Sequence, residues 1–101
     1  MNIETLISRL EDQWDIDGFL GNVRQGIFSP EDGRGFLALL NEIKLDANAQ
    51  IPKRLLSLLW YIPSFLEWQK ERVEEKGGDK KAYERFVTEV HNTLERVLGV
   101  P

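Results

Sequence analysis

The segment Leu55-Leu56-Ser57-Leu58-Leu59-Trp60-Tyr61-Ile62, followed at once by Pro63, constrains the fold of this chain most tightly. All of its residues except Ser57 are apolar. A helix with that composition has no polar side, so other helices must surround it. Pro63 has no N–H to donate, and its ring clashes with the carbonyl one turn back, so a helix arriving there bends or stops. The run is also far too short to span a bilayer, which takes about 20 apolar residues. Ile51-Pro52 opens this segment, and the pattern predicts a central helix over 52–62. A second helix is expected over 64–76, because Ser64 and Glu67 have capping-box spacing. Its far end, Gln69-Lys70-Glu71-Arg72-Val73-Glu74-Glu75-Lys76, is polar and should project into solvent.

The remaining elements read as amphipathic helices. Ile3, Leu6, Ile7, Leu10 and Trp14 share one helical face, which predicts a helix over 3–14 with Asn2 as N-cap. Ile16, Phe19, Leu20, Val23 and Ile27 predict a short helix near 16–25, capped by Asp15. Three glycines weaken that helix, and Gly26 is placed to end it. Ser29-Pro30-Glu31-Asp32 is a helix start: a hydroxyl cap, a proline in the first turn, and acids facing the dipole. It predicts a helix over 30–44, with Lys44 at the negative end. Residues 46–50 read as a loop. Gly77-Gly78 is a terminator, and Asp79 caps the last helix. There Tyr83, Phe86, Val87, Val90, Leu94, Val97 and Leu98 line one face up to Gly99. No stretch alternates as a strand does. The fold class expected is all-α: a compact bundle of five or six short helices around the 52–62 helix, kinked or broken at Pro63. Residues 1–101 are expected to form a single domain.

Charge narrows the choice of partner. The net charge is −4 with 17 acidic and 13 basic residues. Residues 1–50 hold nine acids against four bases, a net −5; residues 51–101 hold eight against nine, a net +1. Binding to nucleic acid rests on Lys and Arg neutralising phosphates, so DNA and RNA are poor partners for this chain. A basic protein suits it better. Cysteine is absent, which removes disulfides and thiolate metal sites and fits a reducing compartment. The N-terminal residues lack a basic start and an apolar core of the secretory type, so the expected location is the cytoplasm, with no membrane contact.

No catalytic constellation can be read, and the chain is expected not to be an enzyme. His91 is the only histidine, and Thr88 stands where a helical carboxylate–histidine metal motif needs Glu. No serine lies in a nucleophile elbow. Asp15-Ile16-Asp17-Gly18 begins like a calcium loop, but Phe19, Leu20 and Gly26 occupy its fifth, sixth and twelfth positions, where ligands and a glycine are required. Gly33-Arg34-Gly35 matches no phosphate-binding loop. Neither a cofactor nor a metal is expected.

Two groups of residues stand out as candidates for binding a partner. The first is acidic: Asp12, Asp15, Asp17, Glu31 and Asp32. The second is aromatic: Trp60, Tyr61 and Trp68, close to Pro63 and framed by Lys53 and Arg54. Neighbours on a helix point about 100° apart, so Trp60 and Tyr61 do not both face one core easily. Either the bundle wraps this segment completely, or part of it is an exposed patch of hot-spot residue types. These features lead to an expected non-enzymatic protein-interaction domain with a basic protein as partner. Small acidic helical inhibitors and toxin-neutralising (immunity-type) proteins are of this kind. Tyr61-Ile62-Pro63 matches only three residues of the tyrosine–proline element of colicin-type immunity proteins and lacks the paired tyrosines, so it establishes no kinship. One alternative is a homodimer or other homo-oligomeric structural or regulatory protein. Another is a carrier with an apolar cavity among Leu56, Leu59, Ile62 and Leu66.

Overall fold

In the computed structural model, which describes residues 1–101, the chain is helical throughout its ordered elements and contains no strand. α1 (Ile3–Trp14) starts where Asn2 Oδ1 accepts from the Thr5 N–H at 2.8 Å. α2 (Phe19–Arg24) is shorter than its apolar spacing suggests. Asp15 is the C-cap of α1 rather than the N-cap of α2, and residues 15–18 make a turn closed by the Gly18 N–H on the Asp15 carbonyl at 2.8 Å. This turn packs backbone on backbone, since a β-carbon on Gly18 would collide with the Asp12 and Gln13 carbonyls. Gly26, at φ 87°, ends α2: its N–H and that of Ile27 return to the carbonyls of Val23 and Asn22.

α3 (Pro30–Asn41) has the expected cap, with Ser29 Oγ accepting from the Asp32 N–H at 3.2 Å. It stops before Lys44, however, and a different cation serves its end. Arg96 reaches across from the last helix to the Ile43 and Leu40 carbonyls, at 3.3 and 3.5 Å, and to Asn41 Oδ1 at 3.4 Å.

α4 (Lys53–Trp60), α5 (Ile62–Trp68) and α6 (Lys70–Glu75) form one interrupted helical run. Tyr61 and Gln69, at the two interruptions, both keep right-handed helical backbone. The first break falls at Tyr61 rather than Pro63. Pro63 occupies the first turn of α5, where its missing N–H costs nothing, and at the joint the Tyr61 N–H turns back to the Leu59 carbonyl. Ser64 lies inside α5 and caps nothing. Long-range donors brace both joints. The Trp14 indole donates to the Leu58 carbonyl at 3.1 Å, and the Tyr83 hydroxyl donates to the Leu66 carbonyl at 2.6 Å. With α4–α6 taken as one run, the bundle has five helical runs, within the five or six helices expected.

α7 (Lys80–Leu98) is capped by Asp79, whose carboxylate accepts from the Ala82 N–H at 3.0 Å. It is the spine of the bundle, packing on α3, α5 and α6, while α1 packs on α2 and α4. The central position expected for 52–62 therefore belongs to α7. α4 lies against α1 at the edge of the bundle and buries Leu55, Leu58 and Leu59, but it leaves Leu56 and Trp60 in solvent. An eight-residue helix at the periphery has only one side to bury. The core is one continuous cluster of 23 apolar residues. At its heart Phe19, Phe28, Phe36, Tyr83 and Phe86 meet at centroid separations of 5.0 to 6.4 Å. Leu59, Ile62 and Leu66 are fully buried in the core and Leu56 is on the surface, so these four enclose no cavity.

Candidate functional site

All five acidic candidates line a single groove. The last turn of α1 supplies Asp12 and Gln13, the following turn Asp15, Asp17 and Gly18, the start of α2 Phe19 and Asn22, and α3 Glu31, Asp32, Gly35 and Phe36. The groove is open and encloses about 850 Å³. Local sequence explains how distant acids come together. The glycine-dependent turn folds α2 back beneath α1, and Ser29-Pro30 starts α3 beside it, so that Glu31 and Asp32 in its first turn face Asp12, Asp15 and Asp17 across the gap. Phe19 and Phe36 form the apolar floor, stacked at 5.2 Å with 28° between their planes.

No Lys or Arg lines this groove, while unpaired carboxylates also occur elsewhere in the chain. The chain's four ion pairs are Arg9–Glu42, Arg54–Glu11, Lys70–Glu84 and Lys80–Glu74, and none involves a groove carboxylate. None of the five carboxylate groups accepts a hydrogen bond either. All five are exposed, and the positive pole of α3 lies beside Glu31 and Asp32. No three carboxylates or imidazoles in the chain converge as a metal-ligand set.

The aromatic candidates form a second surface. Tyr61 is half-buried between two indoles, with Trp60 at 5.5 Å and Trp68 at 5.8 Å, both edge-on. Trp60 and Trp68 are 59% and 68% exposed. The cluster is thus divided: Trp14, Tyr61 and Phe65 pack inward, and the two tryptophans stand in water. Arg54 does not frame this surface, because Glu11 holds it at 2.7 Å; Lys53 remains free.

The two surfaces meet at Trp14. Its sequence neighbours Gln13 and Asp15 line the groove, while its ring packs on Phe65 at 4.9 Å and Tyr61 at 6.2 Å. The Arg24 guanidinium lies over both the Trp14 and Phe65 rings, at 5.8 and 5.3 Å. Sequence reasoning missed Arg24, Phe19 and Phe36 as parts of this region. The glycines at 18 and 21 were the available sign that α1 and α2 approach closely enough to build it.

No family model, curated protein or solved structure matches the chain.

Elsewhere, His91 is exposed beside a small cleft of about 250 Å³ with Glu67, Lys70 and Glu84. Tyr83 forms the inner end of this cleft. Burial, with a smaller contribution from the Glu67 charge, pushes its phenol well above the usual tyrosine range. Its hydroxyl is committed to the Leu66 carbonyl, which makes it a structural donor. No helix is long and apolar enough to cross a membrane.

Proposed function

We propose that this chain is a non-enzymatic protein-interaction domain that binds a basic protein through the groove between α1, α2 and α3, as an inhibitor or toxin-neutralising protein would. The observation that carries this reading is the set of five exposed carboxylates on one groove, none paired with a cation of the chain itself. Like charges held together repel, so this arrangement costs stability in the free protein. A partner's Lys and Arg residues remove that cost on binding. An open groove suits a protruding loop or helix better than a small ligand, which needs enclosure. The gathered negative potential would also speed encounter with a cationic partner.

The test is capture at low salt from the source cell, with the purified chain immobilised beside an Asp15→Asn/Asp17→Lys variant. The expected result is one stoichiometric basic protein on the parent chain and none on the variant. Its association rate should fall steeply as salt rises. Equal capture by both chains, or a rate indifferent to salt, overturns the reading.

A further inference from the structure

We infer that the exposed tryptophan face of α4 and α5 is the seam of a two-fold dimer, in which the run pairs antiparallel with its copy in a second chain. The argument begins with what faces outward. Lys53, Leu56, Trp60, Ser64, Trp68 and Glu71 are all exposed. At about 100° per residue they fall on the side of the run opposite Ile62, which is fully buried. Tyr61 touches both indole rings, which places Trp60 and Trp68 on one continuous surface across the Tyr61 joint.

That surface is self-complementary about Ile62. An antiparallel two-fold pairing centred there sets Lys53 against the Glu71 position of the second copy, Leu56 against its Trp68, and Trp60 against its Ser64. Every contact then occurs twice, as an isologous interface requires. Each charge meets its opposite, each large apolar group meets another or a small residue, and no like charges are opposed. Lys53 and Glu71 take part in none of the ion pairs within the chain, so both are available. The seam spans about 27 Å at 1.5 Å per residue.

The exposed area fits the same occupant. Trp60, Trp68 and Leu56, at 59%, 68% and 41% exposure, present together about 400 Å² of surface. A stable interface of standard size takes about 800 Å² per partner, about half to two-thirds of it apolar. The three side chains therefore supply most of that apolar part. This surface lies outside the acidic groove, and the dimer leaves the groove open to a third chain.

The experiment is sedimentation velocity on the full chain over a concentration series into the high micromolar range. It is run with Trp68→Glu, Lys53→Glu, Glu71→Lys and the double variant Lys53→Glu/Glu71→Lys. The parent is expected to dimerise, and Trp68→Glu to stay monomeric with unchanged helix content, since Trp68 is 68% exposed and its one aromatic contact is the half-buried Tyr61 ring. Each single charge change should weaken the dimer about tenfold at low salt, because it opposes like charges twice per dimer. The double exchange should restore it. A monomeric parent overturns the inference, as does a dimer indifferent to Trp68→Glu. A dimer that loses affinity in the single charge variants but is not restored in the double variant overturns the antiparallel register.

Discussion

The acidic groove and the tryptophan face are both left unsatisfied by the isolated chain, but in opposite ways. The groove gathers charge without counter-charge over a well-packed apolar floor. The face exposes apolar area without cover, and its flanking charges are few and of both signs. Their supports differ as well. The groove depends on backbone held tightly against backbone at a glycine turn, whereas the face rides on a helical run with two joints, each tied to another helix by a side-chain donor. One surface is fixed by the absence of a side chain and the other by the presence of two large ones. That difference predicts how each responds to substitution.

The largest effect should come from the groove's glycines, and it should differ in sign between two that line the same groove. At Gly18 a β-carbon collides with the carbonyl oxygens of Asp12 and Gln13, which belong to backbone and have nowhere to move. At Gly35, inside α3, a β-carbon meets nothing within 4 Å. Gly18→Ala should therefore cost about 3 kcal/mol, the upper range for overpacking. Gly35→Ala should stabilise by about 0.5–1 kcal/mol through helix propensity. Urea unfolding followed by circular dichroism measures both. If Gly18→Ala were neutral, the turn would be adaptable, and the claim that backbone packing shapes the groove would fail.

The joints of the other surface come next. Tyr83→Phe leaves the packing of the ring intact but removes the donor to the Leu66 carbonyl at the α5–α6 joint. The Leu66 carbonyl keeps the longer bond from the Gln69 N–H at 3.3 Å, so the expected cost is about 1 kcal/mol, the usual net worth of one hydrogen bond. The same phenol predicts a pH dependence. Tyr83 holds its proton more tightly in the folded state than in the unfolded chain, where the ordinary value is 10.0. Its contribution is therefore complete below pH 10 and is lost progressively as pH rises above that value. Thermal unfolding of the parent should drop more steeply above pH 10 than that of Tyr83→Phe. Parallel curves would mean that the hydroxyl is not held as described.

What the sequence made legible follows the same division. Helix starts with side-chain caps could be read directly, because Asn2, Ser29 and Asp79 act within three residues of themselves. So could the inward face of α7, whose spacing is regular from Tyr83 to Val97. Features decided by distant partners could not be read. Arg96 closes α3 where Lys44 was expected, because the bundle brings the end of α7 to the last carbonyls of α3. The apolar run at 52–62 looked central because composition reports how much a helix has to bury, not whether the bundle covers it. The five acids were named as a set on charge alone, and their convergence on one groove depends on a turn at Gly18, where the glycine signals a close approach but not which elements it brings together. Trp60 and Tyr61 could not both be assigned inward, and the structure divides them as their 100° offset allows.

The smallest predicted effect is the most direct comparison of the two surfaces as reservoirs of unrelieved free energy. Asp12→Asn and Asp17→Asn each remove one charge from the groove without changing side-chain volume. Neither carboxylate has a partner in the chain to lose. The double variant should gain about 0.5 kcal/mol at low salt, the scale of like-charge contacts at a surface. Screening shortens the reach of those charges to about 10 Å at 0.1 M ionic strength and about 3 Å at 1 M, so the gain should vanish in concentrated salt. A surface kept acidic for a partner is stabilised by neutralisation; one whose acids serve the fold is weakened by it. Chemical denaturation in urea at two salt concentrations separates these cases, because urea leaves the ionic strength unchanged. A loss of stability in the double variant would mean that the groove carboxylates hold the turn or the start of α3, and the comparison drawn between the two surfaces would no longer stand.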